Sequence, residues 1–407
     1  MQEAETFFFT KDDRTTTQEG STMTLKLSNI GLHSDLFMEL KPITILTGKN
    51  NTGKSTISKV LYALLQGSAQ AAERFQMRKQ FALEQLMLEA TTITAANNLE
   101  PPSSYVSDEE CISKCIKLLA ENENAEAAAR LNAKLTELQS ATVVSYMNGQ
   151  IHHILKEEFI GSFKTSGALS YSAELHTSNG DYLISDKGAN KCTISPYSNV
   201  FYLDDAELLG DFSHKPLYHQ NALIRELKTC SSNELTDLED KFLKVIKGNF
   251  RFENGQLYYN EGSNYFNSYN LATGMKIFAI LKLLLCNNKL SRESFIIFDE
   301  PETHVHPEWL PILAELLVCL NSIYNIQMLI TTHSPEFCLA LETYLNVYDA
   351  RKESIFYTLQ HKDDKSILRV ADDLNRSIYE PFSSPLLRVQ MIRDRYLPID
   401  EEDDSDD

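Results

Sequence analysis

The stretch Gly48 to Thr56, "GKNNTGKST", constrains this chain more than any other. Spaced as Gly-x-x-x-x-Gly-Lys-Ser, it describes a loop that curls until its backbone N–H groups converge on phosphate oxygens, and that curl needs Gly48 and Gly53. Lys54 adds positive charge, Ser55 offers a hydroxyl to Mg2+, and the helix that begins here turns its positive end toward the same phosphates. Asn50, Asn51 and Thr56 complete the loop's candidate contacts. Asn51 stands where many such loops carry another glycine, and Asn tolerates a left-handed backbone better than most residues. Upstream, Ile43 to Thr47 is a short β-branched run. Downstream, Ile57, Val60, Leu61, Leu64 and Leu65 fall at helical spacing. Strand, glycine loop and helix predict an α/β fold built around a nucleotide phosphate.

Three further segments fit that core. In "SFIIFDEPETHVHPEW", Asp299 and Glu300 end a continuous apolar run. A carboxylate there can hold the hydration shell of Mg2+, and the next one can polarise water toward a γ-phosphate. Asp299 takes the first role and Glu300 the second. In "MLITTHSPEF", a second apolar strand ends at His333, which can reach a γ-phosphate or the attacking water. In "YNLATGMKIFAILKLLL", Thr273 and Gly274 open an apolar helix and make a second anion site. The chain already has a grip for its own nucleotide, so the economical reading is that this second site caps the γ-phosphate held by another copy, in a head-to-tail dimer with two ATP molecules between the protomers. The ordinary alternative is a capped helix.

Organisation follows from the breaks. Residues 1–21 read as a mobile leader without the basic start of a signal peptide, and 22–70 as the first half of the ATPase core. Residues 71–195 read as an inserted lobe. It holds a helix over Ala71 to Ala96, a break at Pro101-Pro102, and a second helical stretch opened by the capping box Ser107 and Glu110. A hairpin follows, in which Leu169, Tyr171, Ala173 and Leu175 alternate before a turn at Asn179-Gly180. Residues 196–397 return to the core, with another hairpin turning at Asn254-Gly255, and 398–407 form an acidic tail. That tail accounts for much of the formal charge of -19 and reads as a solubilising segment or a docking peptide for a basic partner.

The acidic balance argues against a standing nucleic-acid surface, since the compact basic group Arg74, Arg78 and Lys79 is small. The longest apolar candidate, Ile277 to Cys286, is too short to span a membrane and is interrupted by Lys282. Seven scattered cysteines suit a reducing cytoplasm. Cys111 and Cys115 read as buried thiols on one helical face, since two more ligands for a metal site are missing. Glu302, His304 and His306 admit a metal reading.

As a set, "GKNNTGKS", "LATGMK", "IIFDEPETHVHP" and "TTHSPEF" resemble the ABC-type ATPase heads of the structural-maintenance and overcoming-lysogenization class, over roughly Met23 to Gln66 and Tyr202 to Tyr348. The wording "NLATGMKIFAIL" with "DEPETHVHPEW" is similar to the PtuA ATPase subunits of Septu-type antiphage systems and to their retron-associated relatives. The resemblance implies a P-loop NTPase of the ABC-ATPase head type, with a mixed sheet and an inserted helical and hairpin lobe. It also implies an ATP-sensing oligomer that uses Mg2+ and is paired with a separately encoded HNH nuclease, through which DNA is met. For the stretch holding Glu302, His304 and His306 it implies a dimer contact, against the metal reading. Ala272 departs from the serine usual in the signature, and the glutamine that links nucleotide to the lobe has three candidates, Gln76, Gln80 and Gln85.

Overcoming-lysogenization relatives carry a Toprim nuclease after the ATPase. Here the acids of "HKDDKS" and "VADDLNRS" lack a matching upstream glutamate, so no nuclease is expected in this chain. The leading expectation is a slow regulatory ATPase. Its rivals are a RecF-like repair ATPase that binds duplex DNA as an ATP-dependent dimer, which would want a basic groove, and a transporter subunit, which would want a membrane partner.

Overall fold

A computed structural model of the chain describes residues 23–160, 162–178, 180–186, 195–204, 216–228, 238–253, 256–362, 365–381 and 388–393. The expected leader, the acidic tail, Asn179, the Asn254-Gly255 turn and the acids Asp363-Asp364 lie outside these residues.

The chain opens with β1 (Met23–Ile30) and β2 (His33–Leu40), paired antiparallel, and then enters β3 (Ile43–Gly48), the phosphate loop and α1 (Lys54–Ser68). The polar stretch that follows forms α2 (Ala71–Ala96), α3 (Asp108–Glu121), α4 (Ala125–Ser140) and α5 (Val143–Glu158). Strands β4 (Ser172–Thr177) and β5 (Gly180–Ser185) come next, then β6 (Asn199–Leu203), α6 (Tyr218–Leu227) and the short α7 (Glu239–Leu243). A meander of β7 (Asn249–Glu253), β8 (Gln256–Glu261) and β9 (Asn264–Asn267) leads into α8 (Thr273–Cys286). The chain then runs through β10 (Ser294–Asp299), α9 (Leu310–Tyr324), β11 (Gln327–Thr332), α10 (Pro335–Val347), β12 (Ser354–Lys362) and β13 (Lys365–Val370).

The central sheet has the order β13-β12-β3-β11-β10-β6, parallel throughout except for the antiparallel edge strand β13. Its middle strands are buried on both faces, which is why they read as unbroken apolar runs. Alternate side chains serve two cores. Ile43, Ile45, Ile296, Phe298, Met328 and Ile330 join the core under α8, α9 and α10. Leu46, Phe295, Ile297 and Leu329 join the core under α1, α5 and the antiparallel sheet β2-β1-β4-β5. A third, separate core ties α2, α3 and α4 together through Leu83, Leu86, Ala90, Cys111, Cys115, Leu119 and Leu131. The predicted α/β fold is therefore present, with a helical lobe inserted after α1.

Several local expectations shift. The segment 71–195 divides, because α2 to α4 keep their own core while β4 pairs with β1 and completes the antiparallel sheet. Helix α5 went unread in the sequence; it starts on a Thr142–Ser145 capping box and packs its Met147, Ile151, Ile154 and Leu155 face inward. Leu169 takes no part in β4 and is 96% exposed. In the hairpin, Gly180 pairs with Thr177 as the first residue of β5. Ser107 does cap α3 by accepting from the Glu110 N–H, but the longer Glu110 carboxylate reaches past it to the Val106 N–H. Cys111 and Cys115 are both buried, and burial pushes the Cys111 thiol up in pKa.

Helix α1 meets α5 at Gly67, where an added Cβ would stand 2.3 Å from Ile151 Cγ1 and 3.1 Å from its backbone. Gly149, on the same α5, faces open space. Gly67→Ala is expected to destabilise the chain by about 1–3 kcal/mol through overpacking, whereas Gly149→Ala is expected to stabilise it by about 0.5–1 kcal/mol. Urea unfolding of both variants checks this, and equal stability of Gly67→Ala and wild type would rule out the contact.

Candidate functional site

Parallel pairing sets the site. Thr47 of β3 lies beside Thr332 of β11, Asp299 of β10 beside Thr331, and Leu203 of β6 beside Phe298, so four strands discharge their loops at one edge. A cleft of about 550 Å³ opens there, lined by Asn50 to Thr56, Leu203, Asp204, Ile277, Ile280, Asp299, Glu300, Pro301, Thr303 and His304. An open α/β sheet binds its ligands at this carboxyl edge.

The phosphate loop has the geometry its glycines imply. Asn51 takes a left-handed φ of 62° and Gly53 a φ of 93°. Gly48 leaves no room for a side chain, since a Cβ would stand 2.7 Å from the Leu359 carbonyl. A Cβ on Gly53 would stand 2.6 Å from His33 Nε2. His33 is fully buried, its Nε2 lies 3.0 Å from the Gly53 carbonyl, and burial lowers its pKa. The Lys54 ammonium donates to the carbonyls of Gly48 at 2.8 Å and Lys49 at 3.2 Å. It also meets Glu300 Oε1 at 3.0 Å.

Glu300 joins the loops. Its other oxygen lies 3.1 Å from His333 Nδ1, and its backbone N–H donates to the Thr331 carbonyl at 3.0 Å. Its φ of 53° is left-handed, an unfavourable setting for a glutamate that aims the side chain across the cleft. Asp299 is buried and accepts from the Tyr202 hydroxyl at 2.8 Å and from the Thr331 hydroxyl. Lys54, Glu300 and His333 therefore form one chain of contacts, with Asp299 beside Glu300 on the cleft wall. Ser55 is exposed at the mouth of the cleft.

Other expectations move. Glu302 turns inward, accepts from the Thr332 hydroxyl and from the His333 N–H at 3.2 Å, and burial raises its pKa. It therefore makes no ligand set with His304 and the exposed His306, whose ring accepts from the Glu308 N–H. Among the described residues no group of three or more metal-ligating side chains forms. Thr273 and Gly274 lie outside the cleft of their own chain. Helix α8 starts without a side-chain cap, and Gly274 is required by its packing, because a Cβ would stand 2.7 Å from the His304 carbonyl. Gln76, Gln80 and Gln85 are all exposed on α2 and none lines the cleft.

The sequence reading missed the groups behind the cleft. Asp204, at the exit of β6, accepts from His219 Nε2 at 2.8 Å, and His219 Nδ1 meets Glu158 of α5 at 2.8 Å. The His219 ring lies 4.6 Å from that of Tyr202. Burial opposes the charge on His219, but Asp204 and Glu158 outweigh it and push the pKa up to about 9. Burial likewise acts against the Asp204 carboxylate, and His219 and Lys59 reverse it, leaving its pKa lowered. The available signal was Asp204 itself, an acid ending the apolar run Val200 to Leu203 in the way Asp299 ends its own. His33, His219 and Glu158 had none.

Residues 163–340 match the family described as "AAA domain, putative AbiEii toxin, Type IV TA system". That span holds α8, Asp299, Glu300 and His333, and it begins beyond the phosphate loop. The matched span covers less than half of the chain, and the match is a likeness of these residues to that family. No curated protein matches the chain. Among solved structures the chain is similar to an SMC head bound to the C-winged helix domain of ScpA, at 12% identity, with 86% of this chain and 97% of that one covered and a TM-score of 0.44. It is similar to the SMC head domain from Thermotoga maritima, at 12% identity, 86% and 99% coverage and a TM-score of 0.40. A third is the Smc head domain with an extended coiled coil bound to the C-terminal domain of ScpA derived from Pyrococcus furiosus, at 10% identity, 91% and 99% coverage and a TM-score of 0.36. No helix of the described residues is long and apolar enough to cross a membrane.

The buried His219 gives the fold a pH signature. Its pKa is about 6.5 in an unfolded chain and about 9 in the folded one. Its stabilising ion pairs are therefore complete below the lower value and are lost as pH rises through the upper one. Thermal melts from about pH 6 to 9.5 should show a falling Tm in wild type and a flatter course in His219→Gln. Parallel courses would show that His219 does not carry the proton.

Proposed function

We propose that this chain is an ATP-binding, slowly hydrolysing regulatory ATPase that pairs with a second copy around nucleotide. The observation that carries the reading is Glu300 held between Lys54 and His333 at 3.0 and 3.1 Å, at the mouth of a phosphate loop. Triphosphate entering the loop competes with Glu300 for the Lys54 ammonium. Once displaced, the carboxylate is free to accept a proton from water, and His333 beside it can donate to the terminal phosphate. Binding and arming of the base are thus one event.

The donor set fits Mg2+. Ser55 and Asp299 offer hard oxygen ligands on one cleft, and this ion is commonly held by one or two carboxylates together with substrate phosphates. When bound, it neutralises phosphate charge. Tyr202 and Thr331 orient the Asp299 carboxylate and leave it lone pairs to spare.

The start of α8, carrying the half-buried Thr273 outside its own cleft, supports a dimer in which each protomer closes the other's site. The resemblance to PtuA-type subunits supports a place in antiphage defence, with the ATP-bound and ATP-free oligomers differing in how they hold a separately encoded HNH nuclease. Such a switch needs unequal affinity of ATP for two states and does not need fast turnover.

Lys54→Ala is expected to weaken binding of ATP, measured by titration calorimetry. Glu300→Gln removes the base and the competing ion pair together. It is expected to keep or gain affinity, to lose about 100-fold or more of any hydrolysis, and to accumulate as an ATP-dependent dimer in gel filtration. Undiminished ATP binding by Lys54→Ala would remove the phosphate-loop assignment.

A further inference from the structure

The hydrolytic scheme above leaves unused a set of buried ionisable groups behind the cleft. His219, with no exposed side-chain surface, bridges Glu158 and Asp204 at 2.8 Å each. The Glu158 carboxylate also accepts the backbone N–H of His219 at 2.9 Å, so an acid from α5 caps the start of α6. Lys59 of the phosphate-loop helix donates to the Glu158 carbonyl at 3.0 Å. Glu158 is thus fixed from two sides, and it fixes both the position and the charge of the imidazole.

His219 in turn acts on the cleft in two ways. It holds the Asp204 carboxylate, which lines the cleft and is 22% exposed. Its ring also packs on Tyr202, whose hydroxyl donates to Asp299. The parallel pairing of β6 with β10 sets the exits of Asp204 and Asp299 next to each other. Two carboxylates at adjacent exits repel a triphosphate unless a cation stands between them and it.

We propose that His219 is a positioning residue of the nucleotide site: backed by Glu158, it presents Asp204 to the cleft and steadies Asp299 through Tyr202, so that both acids face the divalent cation that accompanies nucleotide. The inference rests on the ATP-binding reading above. Neither Asp204 nor His219 need touch phosphate for it to hold. Its signature is an effect on the cation dependence of binding that is separate from any effect on the phosphate grip.

The experiment uses the full chain and a fluorescent ATP analogue, with anisotropy titrations in EDTA and across a Mg2+ series, for wild type, His219→Gln, Asp204→Asn and Lys54→Ala. Wild type should bind more tightly as Mg2+ rises. In His219→Gln and Asp204→Asn the Mg2+ midpoint should shift up by about tenfold or more, the loss typical when partners that orient a metal site are removed. Their binding in EDTA should equal or exceed that of wild type, while Lys54→Ala should bind weakly in every condition. Asp204→Asn removes charge from a partly exposed wall, so it remains informative if His219→Gln fails to fold. Melting curves recorded alongside separate the alternatives: a purely structural role lowers Tm and leaves the Mg2+ midpoint at the wild-type value, which would overturn the proposal. Loss of binding in Lys54→Ala together with wild-type midpoints in the other two variants would overturn it while leaving the ATP-binding reading intact. A wild-type chain that binds no nucleotide would overturn both.

Discussion

Everything at the cleft depends on the parallel register of β3, β11, β10 and β6. A parallel sheet brings the carboxyl ends of its strands to one edge, so residues nearly three hundred positions apart in sequence become neighbours without any long side chain having to reach. Thr47 beside Thr332 and Asp299 beside Thr331 place the phosphate loop, the carboxylate pair and the histidine turn within single ion-pair distances. The insertion of α2 to α4 leaves this register intact, because that lobe closes its own core and adds no strand to the central sheet.

Within that frame the charges are mutually limiting. Lys54 is 4% exposed, and burying an ammonium without partners would be prohibitive. Two loop carbonyls and Glu300 supply those partners. Glu300 reaches them from a left-handed backbone, which is sustained by its N–H bond to the Thr331 carbonyl and by the turn in which Thr303 N–H returns to the Glu300 carbonyl. Strain of this kind persists where surrounding structure over-determines it, and here the same contacts that hold it also hold the Glu300 carboxylate next to His333. Glu302 adds to that rigidity by tying the carboxylate turn to Thr332 and the His333 N–H.

What was legible in the sequence is what a single strand-to-loop unit encodes. Gly48, Asp299, Glu300 and His333 follow apolar strand runs, and Gly53 and Lys54 lie in the loop between such a strand and an apolar helix, so a single strand exit locates each of them. The groups that escaped reading are those whose role exists only between elements. His33 reaches Gly53 from the other sheet. Glu158 and His219 meet from α5 and α6, each an unremarkable polar residue on its own helix. Gly274 also carries a packing constraint, the backbone of His304 to His306 against it, a contact that no local pattern announces. Helix α5 was missed for the same reason: its apolar face is matched to α1, and neither is interpretable as a pair until both are folded.

Helix α5 also links the phosphate-loop helix to the lobe. At Gly67 it lies against α1 with no space for a methyl group, so movement of the phosphate-loop helix displaces it directly. At its end, Glu158 is bound to Lys59 of α1 and to His219, whose other nitrogen holds a wall of the cleft. Near its start, Tyr146 packs against Phe75 and Arg78 of α2, the first helix of the lobe. One rigid helix thus touches the phosphate loop's helix, the acid cluster and the lobe. Packed interiors shift between discrete arrangements more readily than they deform. A displacement of α1 or of Asp204 would therefore meet α2 through the contacts of α5.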